Sequence, residues 1–358
     1  MNVRLREEME TLPTYKAGQR PTAQPGIDRL YKLSSNETHL PPLPSVREVI
    51  HRASEDSHRY PDPFSTKLVA AIAERFGVSP SNVVVGTGSV AVCNYMINAV
   101  AGAGDEVIYA WRSFESYPIW TQIAGATSVR VPLDEHFRHD LDAMLAAITE
   151  KTRIIFVCTP NNPTGQAVRH DELVAFLDAV PSHILVVLDE AYTEFVRDPD
   201  VPDGIELFRT YPNVAVLRTF SKAYGLAGLR VGFGIAHDNL AEAFRKTATP
   251  FGVSIIAEEA AVASLAAEDE LMERVDAIVA ERERVREALI AQGWHVEPSE
   301  ANFIWLGLGD AATELYEACE PVGVTVRPFA GEGVRITIAE PEANDRIIAV
   351  CESFPRPL

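Results

Sequence analysis

At 358 residues, 47% of them hydrophobic, the chain is long enough for a large domain and a smaller one. A formal net charge of -19, from 32 basic and 51 acidic residues, argues against nucleic acid or anionic membrane as a partner, because both reward basic patches. Any anionic ligand has to be held by a few local donors.

Residues 1–44 are rich in proline and polar groups without a sustained period, and they read as an extended arm that lies on a surface. Within it, Leu33-Ser34-Ser35-Asn36-Glu37 reads either as a plain turn or as a ligand contact. A helix is predicted from Ser45 to Glu55, followed by a loop containing Tyr60. A second helix, Ser65 to Phe76, stops at Gly77, and Asn82 to Val85 gives a short β-branched strand. The turn Gly86-Thr87-Gly88-Ser89 then opens a helix to about Val100, and a glycine turn feeding a helix N-terminus offers free N–H groups to an anion.

Strands and helices alternate beyond it: Glu106 to Ala110, a helix from Phe114, Thr127 to Val131, a helix from Asp140, Arg153 to Val157, a helix from Asp171, Ile184 to Leu188 and Val214 to Leu217. The runs at Ile154–Val157 and Ile184–Leu188 are apolar on both faces, as strands covered by helices on each side require. The pattern predicts an α/β fold with a mainly parallel, doubly wound sheet. After about Thr249 long helices take over, Ser254 to Ala267 and Glu268 to Gln292, with Glu281, Arg282, Glu283, Arg284 and Arg286 reading as a solvated face. Strands at Asn302 to Leu306, Val324 to Arg327 and Gly333 to Ile338, a helix near Ala311 to Glu320 and a last helix from Glu342 complete a smaller α+β unit. The predicted division is an arm over 1–44, a large domain over 45–250 and a small domain over 251–358. Four cysteines without CxxC or CxxH spacing read as reduced core thiols, so no metal site is indicated. With no apolar signal core at Met1 to Met9 and no bilayer-length apolar run, the expected location is cytoplasmic.

Ligands of open α/β sheets bind beyond the carboxyl ends of the strands, and four candidate motifs fall there. They are Gly86–Ser89, Thr159 to Gly165, Asp189-Glu190-Ala191-Tyr192 and Thr219 to Lys222. Lys222 sits among small, hydroxyl and glycine residues, where poor solvation disfavours the ammonium form and frees a nucleophilic amine. Thr219, Ser221 and Arg230 are suited to a phosphate, and an imine-forming amine beside a phosphate site suggests pyridoxal phosphate. Asp189, ending an apolar strand, either keeps a pyridine nitrogen protonated or makes a structural pair. Asn162 and Tyr192 are able to hydrogen-bond a ring oxygen, although Asn162-Pro163-Thr164-Gly165 also reads as a simple tight turn.

Asn162-Pro163-Thr164-Gly165, Asp189 with Tyr192, and Ser221-Lys222 with Arg230 resemble, in order and spacing, the fold type I pyridoxal-phosphate aminotransferases, closest to the histidinol-phosphate and aromatic amino acid group. The resemblance implies Lys222 as the imine lysine and proton shuttle, Asp189 on the ring nitrogen, and Asn162 and Tyr192 on the ring oxygen. It implies Ser89, Thr219, Ser221 and Arg230 around the phosphate, and a homodimer in which Tyr60 reaches the neighbouring subunit's phosphate. Arg335 is implied on the substrate α-carboxylate, with Arg327 as a second cation nearby. Phe114 stands where the family often stacks a tyrosine on the ring, and the helix after Gly88 lacks an acidic residue common in histidinol-phosphate enzymes. Aromatic amino acids with a 2-oxo acid such as 2-oxoglutarate are the expected substrates, helped by Glu332, whose charge repels a phosphate dianion. Histidinol phosphate, another reaction on the same cofactor, and a non-catalytic regulatory protein are the alternatives.

Overall fold

The computed structural model describes residues 3–6, 8–14, 18–22 and 25–356. Its strands are β1 (Tyr31–Lys32), β2 (Val83–Gly86), β3 (Glu106–Trp111), β4 (Thr127–Pro132), β5 (Thr152–Cys158) and β6 (Leu185–Asp189). They continue with β7 (Val214–Thr219), β8 (Gly232–Ile235), β9 (Phe303–Gly309), β10 (Val324–Thr325), β11 (Arg327–Phe329) and β12 (Glu332–Thr337). Seven of them form one sheet in the order β2-β8-β7-β6-β5-β3-β4. All run parallel except β8, which is antiparallel to both β2 and β7. The carboxyl ends of β2, β5, β6 and β7 therefore share one edge, which brings the four candidate motifs together.

Burial explains the sheet's sequence pattern. Ile154, Phe156, Leu185 and Val187 belong to one apolar cluster, while Ile155, Val157, Val186 and Leu188 belong to the other, so successive side chains enter opposite layers. The helices keep their predicted order, with small shifts at the ends. Ser254, for example, caps Ile255–Ala266 by accepting from the Ala257 N–H at 3.1 Å.

Four features depart from the sequence reading. The strand β8 and the helices Gly204–Thr210 and Asp238–Lys246 were not predicted. The segment Val324 to Arg327 is two strands: β10 pairs in parallel with β1, whereas β11 turns to pair with β12. The arm is more than an extended cover, because Tyr31, Leu33 and Asn36 are buried and β1 is part of a sheet. Arg282 lies inside rather than on a solvated face: it is 2% exposed and donates to the carbonyls of Phe195, at 3.3 Å, and Ala301, at 3.0 Å. Two carbonyls left without helix or sheet partners need such a donor, which a reading by charge pattern does not reveal.

Candidate active site

A cavity of about 550 Å³ opens at the shared edge of the large sheet. Lys222, Asp189, Tyr192, Asn162, Ser89, Thr219, Ser221, Arg230, Phe114, Arg327 and Arg335 all line it, so eleven of the twelve predicted site residues converge. Tyr60 does not line it; the ring is 84% exposed and packs on Phe251, with centroids 5.1 Å apart.

The lysine lies just past β7, where its Nζ approaches the Ser35 carbonyl at 3.4 Å. Burial, reinforced by the nearby Arg335 charge, lowers its pKa to about 8, so a substantial share of the amine is neutral near that pH. Asp189 ends β6 and is buried, which raises its carboxyl to about 6. One oxygen, Oδ2, accepts from the Tyr117 hydroxyl at 2.6 Å, while Oδ1 is buried with no hydrogen-bond partner. A buried carboxylate oxygen facing a cavity in this state fits a donor carried by a ligand.

Two ring-oxygen candidates are oriented by further contacts. Asn162 Oδ1 accepts from Arg335, which leaves its amide N–H groups to donate. The Tyr192 hydroxyl accepts from Asn36 Nδ2 at 2.9 Å, which leaves its own proton for another acceptor. Burial also pushes the Tyr192 pKa well up, keeping that proton in place. Asn36 in turn is bound to Thr337 on β12, so the arm, β12 and the tyrosine form one network. Residues 34–37 of the stretch that reads as a plain turn or a ligand contact line the cavity.

At the other end, Arg230 adopts φ 57° and reaches back to Ser221 Oγ at 3.3 Å and to the Thr87 carbonyl at 3.5 Å. Gly88 precedes the helix Ser89–Val100 with φ 82°, and a Cβ there would lie 2.4 Å from the guanidinium. A Cβ at Gly232 would lie 2.3 Å from the Ser89 nitrogen. Both glycines keep a guanidinium and a helix N-terminus close together, an arrangement suited to a dianion. The amine, the unpartnered carboxylate oxygen, the two donors and this cradle fit pyridoxal phosphate part by part.

Another part of the cavity wall is formed by residues of β11, β12 and the stretch after β3. Arg335 and Arg327 are direct cross-strand partners. Arg335 donates to the Ser34 carbonyl at 2.8 Å, and Arg327 pairs with Glu115 at 2.8 Å. Val90, Phe114, Ile119 and Trp120 add an apolar wall. Glu332 does not play the part expected of it: its carboxylate is held by Arg112, through Nε at 2.8 Å and Nη2, and it does not line the cavity. Glu115, Tyr117 and Asn36 are the contributors that sequence reading missed or left open. Only their closeness to Phe114 or to the arm's polar stretch marked them.

A mainly parallel sheet with a smaller α+β unit, a desolvated lysine and an anion cradle at the strand ends defines a fold type I aminotransferase. The chain belongs to the aminotransferase class I and II family, whose sequence profile matches residues 28–350. It is 61% identical over 355 residues to an aromatic amino acid aminotransferase of Streptomyces coelicolor, covering 99% of this chain and 98% of that one. To the aromatic amino acid aminotransferase of Thermobifida fusca it is 55% identical, over 98% and 97% of the two chains. A histidinol-phosphate aminotransferase from Sinorhizobium meliloti, solved in complex with pyridoxal-5'-phosphate, superposes with a TM-score of 0.88 at 30% identity, covering 99% of both chains.

Proposed function

We propose that the protein is a pyridoxal-phosphate-dependent aminotransferase that moves an amino group between an aromatic L-amino acid and a 2-oxo acid. The observation that carries this is the pairing, in one cavity, of the desolvated Lys222 amine with the unpartnered Oδ1 of Asp189. When bound, the cofactor supplies the aldehyde that takes up the amino group and a ring that accepts the electron pair left at the substrate Cα.

The chain's own residues divide the remaining work. Lys222 Nζ, held partly neutral, takes the proton from the substrate Cα as general base and delivers it as general acid. Asp189, its carboxylate oriented by the short bond from Tyr117, would pair with the ring nitrogen of the bound cofactor and keep a proton on that nitrogen. Asn162 and Tyr192 would donate to the ring oxygen, and Phe114 would cover the ring face. Ser89, Thr219, Ser221 and Arg230 would hold the phosphate, with the N-terminus of Ser89–Val100 adding its free N–H groups. Arg335 binds the substrate α-carboxylate, and the apolar wall of Val90, Phe114, Ile119 and Trp120 receives the aromatic side chain.

Relatives at 55% and 61% identity that bear the aromatic name support this substrate class over histidinol phosphate. The S. meliloti structure is the observation that favours the alternative, at lower identity. A homodimer with Tyr60 completing the partner's site belongs to the same reading, supported by that ring's exposure. Four free, buried cysteines support a reducing cytoplasmic location. Among the described residues no helix is long and apolar enough to cross a membrane.

The test is steady-state kinetics with phenylalanine and with histidinol phosphate as donors to 2-oxoglutarate. Parallel lines in double-reciprocal plots and a kcat/KM favouring phenylalanine are expected. A strong preference for histidinol phosphate would reverse the substrate assignment, and no turnover of either would remove the aminotransferase reading.

A further inference from the structure

The charges at the outer end of the cavity are arranged as two pairs around Phe329. Arg112 lies over that ring at 5.3 Å and is bound by Glu332, and Arg327 lies over it at 5.5 Å and is bound by Glu115. Only the second pair faces the cavity, and its members differ in exposure, with Arg327 at 12% and Glu115 at 31% of the side chain. Glu115 stands directly before the helix Ser116–Ile123, which also presents Ile119 and Trp120 to the cavity. The same short stretch thus provides an apolar surface and a carboxylate.

That carboxylate changes what the cavity selects. A guanidinium alone would draw in a phosphate, which it matches in charge and geometry. With a carboxylate oxygen 2.8 Å away, the pair carries no net charge, and a phosphate dianion placed against Arg327 meets a like charge at close range. An amino acid's α-carboxylate is smaller, carries one charge and is met by Arg335, the cross-strand partner of Arg327, so it need not approach Glu115. We propose that Glu115 is a specificity-determining residue, whose pairing with Arg327 cancels the charge beside Arg335, where a donor's carboxylate or the phosphate arm that replaces it would bind, and so selects an α-carboxylate substrate against a phosphorylated one. This rests on the aminotransferase reading given above and adds the residue that decides between its two candidate substrates.

The experiment compares holoenzyme of wild type, Glu115→Gln, Glu115→Asp and the double variant Glu115→Gln/Arg327→Gln. The ratio of kcat/KM for phenylalanine to that for histidinol phosphate should fall at least tenfold in Glu115→Gln. It should stay near wild type in Glu115→Asp, which retains the charge, and the gain for the phosphorylated donor should vanish in the double variant. Independently of turnover, inorganic phosphate titrated into the holoenzyme should bind at least fivefold more tightly to Glu115→Gln than to wild type. An unchanged ratio together with unchanged phosphate affinity in Glu115→Gln would overturn the inference while leaving the enzyme assignment standing. A wild type that turns over neither donor would instead remove the functional reading itself.

Discussion

Lys222 shows how much a single desolvated group asks of the fold. In the unfolded chain its pKa is near the ordinary 10.5, and in the folded, cofactor-free chain it is about 8. Between those values the unfolded state binds more protons, so stability rises with pH through that window and is lowest below it. At neutral pH the displacement costs roughly 3 kcal/mol. Lys222→Met should therefore raise the Tm of the cofactor-free protein at pH 7, with the difference closing above pH 10.5, while abolishing turnover of the holoenzyme. Equal melting temperatures at pH 7 would contradict the desolvation argument. Tyr117 works in the other direction, because its hydrogen bond opposes the rise that burial imposes on Asp189. Tyr117→Phe should move Asp189 above about 6 and weaken cofactor binding about tenfold, the scale expected for one lost bond to a charged group. Titrating the cofactor spectroscopically and following the acid limb of kcat/KM, which should shift to higher pH, checks this. Lys222 and Asp189 were legible in the sequence because each lies at or just past a strand end, where the chemistry of an open sheet gathers, and Arg230 because it follows that lysine closely through a stretch of small and glycine residues. Tyr117 was not, since no local pattern says which buried helix tyrosine meets an aspartate 72 positions further on.

Among the elements, the junction of β2 with the helix Ser89–Val100 carries the tightest demand. Gly88→Ala places a Cβ 2.4 Å from the Arg230 guanidinium and on a backbone with φ 82°. The expected result is a folded protein whose affinity for the cofactor falls by tenfold or more, measured by fluorescence titration. Unaltered affinity would mean that Arg230 does not need its position beside Gly88. The glycine turn and its flanking elements were readable because a β-branched run ends there and a helix opens directly after it. Strand β8 escaped notice for a related reason: Gly232 and Gly234 remove half of its side chains, and what they leave room for lies elsewhere in the chain. A Cβ at Gly232 would strike Ser89, and one at Gly234 would lie 2.9 Å from Met96. The split of Val324 to Arg327 into β10 and β11 was equally hidden, because so short a stretch does not say with which neighbour each residue pairs.

On the scale of the whole molecule, the exposed aromatics Tyr60, Phe64 and Phe251 stand out at 84%, 76% and 44% exposure. Tyr60 and Phe251 already pack against each other with tilted rings, and large rings left open in this way are the kind of surface that a partner subunit covers. Sedimentation should give the mass of a dimer, and Tyr60→Ala should lower cofactor affinity. Mixing a Tyr60 variant with a Lys222 variant should regenerate sites that hold both wild-type residues, with activity above that of either parent. Heterodimers that form without recovering activity would confine Tyr60 to a packing role.

The pairing of β1 with β10 bears on the order in which the protein is made. Tyr31 leaves the ribosome long before its ladder partner Val324, which follows it by 293 positions. The network from Asn36 to Thr337 and to the Tyr192 hydroxyl closes later still. A chain halted before β10 can form much of the large sheet but cannot seat the arm, and so it leaves Tyr192 without the group that aims its proton. The cavity is thus complete only once β12 has been made, because a product halted before β10 lacks both the seat of the arm and the Arg327 and Arg335 side chains.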